Sequence, residues 1–193
     1  MIYVNRVTNL SDARYCAGMG ADWLGFVVDP ADPDYVSPSE YQEMMGWVSG
    51  PKRVAQVTGR SPDANIIFEQ YAPDAIHCYA PVALQEPIDS KIPLILEIEF
   101  SSWGAIKKDI LALQNQMLFL VLTELPATEE VIQKLKIENF AIPILLKIAR
   151  MHESNVSALI THCSGLMLQG EREVQPGLKD YDHLSEILEA LEQ

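Results

Sequence analysis

Eight short apolar runs, each followed by a longer amphipathic stretch, restrict what this chain can fold into more than any other feature of it. The runs span Ile2–Val7, Trp23–Val28, Arg53–Val57, Ala75–Cys78, Pro93–Ile98, Met117–Leu122, Ile142–Lys147 and Gly165–Gln169. Most are nearly continuous in Val, Ile and Leu. That is the pattern of parallel strands covered on both faces, not of a sheet with one wet side.

The intervening stretches carry helix signals. Asp12–Met19 ends in Gly18-Met19-Gly20, a C-terminal stop. Ser37-Pro38 and Ser61-Pro62 each offer an N-cap followed by proline at the first helical position. Trp103–Gln114 gathers Ile106, Ile110, Leu111 and Leu113 on one side, with Lys107, Lys108 and Asp109 outward. Thr128 is placed to cap Glu129–Ile137, whose first-turn glutamates suit the helix dipole. Ser154–Ile160 and Asp182–Leu191 complete the set, and the proline-bounded Pro81–Pro87 reads as a short or irregular fourth helix. Eight such units with right-handed crossovers close into a compact (β/α)8 TIM barrel. The rival, an open doubly wound sheet, lacks its glycine-rich turn after the first strand.

A chain of 193 residues, 48% of them hydrophobic, is expected to form one domain over 1–193. Met1-Ile2-Tyr3 lacks the basic start of a secretory signal, and no apolar run approaches the ~20 residues that span a bilayer. Cys16, Cys78 and Cys163 form no close pair and suit a reducing cytoplasm. The net charge of -13 disfavours nucleic-acid partners, which need clustered Lys and Arg. It also opposes an anionic ligand unless local basic groups intervene.

Several segments, in order, resemble the phosphoribosylanthranilate isomerase family. Its members begin Lys-Ile-Cys-Gly-Ile-Thr-Asn-Leu-x-Asp-Ala, against Tyr3-Val4-Asn5-Arg6-Val7-Thr8-Asn9-Leu10-Ser11-Asp12-Ala13 here. Gly20-Ala21-Asp22-x-Leu24-Gly25-Phe26-Val27, Pro33-x-Tyr35-Val36-Ser37-Pro38, Arg53-Val54 and Pro176-Gly177-x-Lys179-Asp180 match later pieces. The resemblance implies a barrel and an Amadori rearrangement of an aminoaldose phosphate. That reaction needs a general acid to open the ribose ring and a general base to take the C2 proton.

The residues that would do this work are replaced. The base Cys is Asn5, whose amide cannot exchange a proton near neutral pH and is expected to hydrogen-bond a loop. The acid Asp at the end of strand six is Leu122 or Thr123, depending on a one-residue register, with Glu124 just beyond. Neither Asn5 nor Thr123 is competent. The Arg that meets the anthranilate carboxylate is Asp34, otherwise read as a surface turn acid, and the family's strand-four His is Tyr79. The phosphate-binding glycines are replaced by Ala149-Arg150 and Gln169-Gly170-Glu171. Lys147, Arg150 and Arg172 remain as candidates for holding an anion.

The leading expectation is an isomerase-like barrel that has lost the Amadori activity and holds a small polar or anionic ligand at the C-terminal mouth. Two alternatives stay open: a still weakly active isomerase of tryptophan biosynthesis, and an enzyme with a rebuilt mouth. Ligand-binding candidates for that mouth are Arg6, Asp34, Gln56, Tyr79, Glu124, Lys147, Arg150, Gln169, Glu171 and Arg172. No cofactor and no metal are implied. His77, Cys78 and Tyr79 are neighbours on a strand and cannot all converge, and His152, His162 and Cys163 fit no zinc spacing. A monomer or homodimer is expected, with Trp47 and Trp103 as aromatics for an interaction surface or for helix packing.

Overall fold

The computed structural model describes residues 1–59, 64–80, 92–126, 128–138, 141–148 and 158–170. Within them the expected strands form a closed, all-parallel barrel in sequential order from β1 to β8. The strands are β1 (Ile2–Asn5), β2 (Trp23–Val27), β3 (Lys52–Val57), β4 (Ala75–Tyr79), β5 (Leu94–Glu99), β6 (Met117–Thr123), β7 (Ile144–Lys147) and β8 (Gly165–Gln169). Closure is made by β1 against β8, with Ile2 opposite Leu166 and Asn5 opposite Gln169. Gly165 permits that approach, since a Cβ there would stand 2.1 Å from the Met1 carbonyl oxygen.

Among the described residues five named helices pack outside: α1 (Leu10–Gly18), α2 (Pro38–Met45), α3 (Ala64–Tyr71), α4 (Trp103–Ala112) and α5 (Thr128–Ile137). Asn9 caps α1 by accepting from Asp12 N–H. Ser37 and Glu40 form a reciprocal capping box on α2. Thr128 lies inside α5 rather than before it. Residues 158–160 are helical, as expected for the end of the seventh helix. The Pro81–Pro87 segment, the Ser61-Pro62 cap and Asp182–Leu191 fall outside the described residues.

Strand alternation sorts the buried residues into two bodies. The larger packs outward-facing strand residues such as Leu24, Ile76, Leu96, Leu120 and Leu146 against helix residues including Tyr41, Ile67, Trp103 and Ile110. The smaller draws only on strands: Tyr3, Trp23, Val54, Ala75, Ile95, Phe119, Val121, Leu145 and Met167. This second body is the lumen. It is filled, not hollow, and burial of each large side chain contributes about 1.5–3 kcal/mol. Trp23 and Phe119 meet edge to face at 5.3 Å.

Gly25 sits where the Tyr3 ring crosses the lumen; a Cβ there would stand 2.5 Å from Tyr3 Oη. Trp103 is buried, whereas Trp47 is 71% exposed. No helix among the described residues is long and apolar enough to cross a membrane.

Candidate functional site

Two residues beyond the apolar lumen layer, seven of the eight strands turn polar. The lumen positions there are Asn5, Gln56, His77, Glu97, Thr123, Lys147 and Gln169, with Gly25 on β2. Period-two alternation aims them at the lumen, at the C-terminal ends where barrel sites are built. The layer divides into a satisfied half and an unsatisfied half.

The satisfied half is a chain of contacts across the barrel. Tyr3 Oη and His77 Nδ1 lie 2.9 Å apart, His77 Nε2 is 3.1 Å from Glu97 Oε2, and Lys147 Nζ donates to Glu97 Oε1 at 3.0 Å. Burial alone would raise the Glu97 carboxyl, but hydrogen bonds and charge from His77 and Lys147 overcome it and hold the group at about 2. An ionised carboxylate only accepts, so Nε2 donates to it, and Nδ1 shares the remaining hydrogen bond with the Tyr3 hydroxyl. Burial, and secondarily the Glu97 charge, keep the Tyr3 hydroxyl well above its ordinary range. Both nitrogens of His77 are thereby engaged. The ring braces Glu97 instead of offering a free base to the mouth.

The unsatisfied half is Asn5 and Gln56. Asn5 is 0% exposed, and among the described residues neither its Oδ1 nor its Nδ2 has a partner; Gln56 is 7% exposed, and its Oε1 has none there either. Among the described residues the Asn5 side chain makes no hydrogen bond to a loop. A β-strand fixes where the side chain points, and Gly170, the loop residue nearest this strand end, gives its N–H to the Asn5 carbonyl instead. Leaving such a group buried and unpaired costs about 1–3 kcal/mol.

Thr123, not Leu122, is the lumen-facing residue at the end of β6, since Leu122 joins the outer core. Its hydroxyl donates to the Ile98 carbonyl at 3.2 Å. Glu124 follows it, exposed, with a φ of +49°, and Arg6 follows Asn5 with a φ of +56°. These are left-handed backbones that favour glycine, and glycine is what the isomerase motif carries at the position of Arg6.

Arg6 accepts that conformation while bridging two loops. Its Nε donates to Asp34 Oδ2 at 2.7 Å and its Nη2 to Asp32 Oδ1 at 2.6 Å. Asp34 is consequently buried, at 7% exposure, and is not the surface turn acid expected. The Arg6 guanidinium is what makes that burial affordable. Tyr79 donates to Glu99 Oε1 at 3.1 Å, and burial, then Glu99, push its hydroxyl upward.

The structure thus brings Asn5, Gln56, Lys147 and Gln169 into one layer, with Arg6, Asp34, Tyr79 and Glu124 at its rim. Arg150, Glu171 and Arg172 lie outside the described residues. Glu97, His77, Tyr3 and Asp32 were missed as site residues. Among the described residues the mouth carries the carboxylates Asp32, Asp34, Glu97, Glu99 and Glu124 against the basic side chains Arg6 and Lys147. Both cations are already paired with carboxylates. No cluster of His, Cys, Asp and Glu among the described residues is arranged to hold a metal.

No protein-family model matches the sequence, and no curated protein sequence does so. Solved structures do. A phosphoribosyl anthranilate isomerase in complex with reduced 1-(o-carboxyphenylamino)-1-deoxyribulose 5-phosphate aligns with a TM-score of 0.74 at 19% identity, covering 99% of this chain and 97% of that one. The phosphoribosyl anthranilate isomerase of Thermotoga maritima aligns with a TM-score of 0.72 at 19% identity, over 99% and 98% of the two chains. That of Thermus thermophilus aligns with a TM-score of 0.70 at 16% identity, over 99% and 98%. At such identities the likeness is one of architecture: this chain has the fold of the phosphoribosylanthranilate isomerases.

Proposed function

We propose that this protein is an isomerase-like barrel that has left the Amadori reaction and uses its C-terminal mouth to bind a small polar molecule. One observation carries the reading. Asn5 and Thr123 occupy lumen-facing strand ends where the resemblance calls for base and acid, yet they present an amide and a hydroxyl already spent on a backbone carbonyl. Neither titrates near neutral pH, so Asn5 cannot take the C2 proton and Thr123 cannot protonate the ring oxygen. Asp34, locked to Arg6, stands where a cation would meet anthranilate. The three cysteines, none of them in a disulfide, support a reducing, cytoplasmic setting for this role.

Expression in an isomerase-deficient, tryptophan-requiring host tests the proposal. No growth on medium without tryptophan is expected, and none with Asn5→Cys alone, because the acid is still missing. Growth of the host carrying the unaltered chain at ordinary expression overturns the reading.

A further inference from the structure

We propose that the molecule bound at the mouth is a small, donor-rich cationic amine of the amino-polyol kind, and that Asn5 and Gln56 are its direct hydrogen-bonding partners. This rests on the reading above, that the mouth is a binding site no longer committed to a phosphorylated, carboxylate-bearing substrate.

Two buried amides with unpaired atoms in one layer of one lumen are the first support. Unpaired buried polar groups are rare because each costs free energy, and two in one strand-end layer point to a group that completes them. Their chemistry sets the ligand's. The unpaired atoms are two acceptors, Asn5 Oδ1 and Gln56 Oε1, and one amide donor group, Asn5 Nδ2. A partner with more donors than acceptors suits them, as an ammonium beside hydroxyls does.

Charge is the second support, and it is independent of the amides. Among the described residues five mouth carboxylates outnumber two cations that are already paired, a balance that repels an anion and attracts a cation. Tyr3, Val121 and Met167 fill the lumen directly below this layer, so a ligand is met from the mouth side.

Calorimetric titration of the wild-type chain with three linear six-carbon polyols tests this at low salt. They are meglumine (cationic), sorbitol (neutral) and gluconate (anionic). Meglumine is expected to bind saturably, at least about tenfold more tightly than sorbitol, with gluconate weakest. Asn5→Leu and Gln56→Leu should each abolish meglumine binding while raising the urea midpoint, because each removes an unpaired buried amide.

Sorbitol or gluconate binding as tightly as meglumine overturns the proposal, as does the absence of binding by all three. Undiminished binding by a folded Asn5→Leu variant does so too. The wild-type series decides the matter even where a variant fails to fold. The two readings also fail separately. Tryptophan-independent growth strikes the loss of isomerase activity, whereas Asn5-dependent binding of sorbitol without a preference for meglumine strikes only the cationic ligand.

Discussion

Glu97 concentrates the electrostatics of the lumen. Its side chain is only 13% exposed, and it joins His77 on β4 to Lys147 on β7. Its folded-state value of about 2 lies below the ordinary 4.5, so it binds protons less readily folded than unfolded. The stability this adds is present above about pH 4.5 and is lost as pH falls from there through about 2. Glu97→Gln should therefore cost about 3 kcal/mol at neutral pH, with the cost shrinking below pH 4.5. Urea unfolding of both proteins between pH 7 and pH 3 measures it. A cost independent of pH would show that Glu97 acts by shape and not by charge.

Among the elements, α2 shows how local chemistry fixes where a helix starts. Ser37 N–H donates to Glu40 Oε2 at 2.9 Å while Glu40 N–H reaches Ser37 Oγ at 3.4 Å. The Ser37 hydrogen bonds hold the exposed Glu40 carboxyl below its ordinary value. Ser37→Ala should cost about 1 kcal/mol, read as a lower urea midpoint with an unchanged slope. Such signals are local, which is why the eight strands and the start of α2 were legible in the sequence.

Strand ends were less so. The apolar run to Val7 suggested a longer β1, but Arg6 turns left-handed to reach Asp32 and Asp34. Tyr79, Glu99 and Thr123 extend their strands beyond the apolar runs, because a lumen-facing end tolerates polarity. Of the residues named from the resemblance, Asn5, Tyr79, Thr123, Lys147 and Gln169 lie at the C-terminal ends of described strands. Glu97 did not declare itself, since within Leu94–Glu99 it reads as an interruption and its partners lie 20 and 50 residues away. The signal that would have found it is the recurrence of a polar residue two places beyond each lumen-facing apolar one.

At the scale of the whole molecule, the barrel is held by closure. Every strand pairs on both sides, and the seam between β1 and β8 is as regular as the others. No strand of the barrel offers a free edge for another chain to extend. Closure also governs the thiols. Cys78 is buried on the outer face of β4, and burial pushes its thiol up to about 12; Cys16 is buried in α1. Only Cys163 is partly accessible among the three. With Cys163→Ser, native protein should react with a thiol reagent only as fast as the barrel opens, and added urea should speed that reaction as it lowers stability. Immediate labelling, counted by mass, would refute this. The two buried cysteines thus amount to a built-in clock, one that starts when the outer core is first exposed and needs no dye or engineered probe.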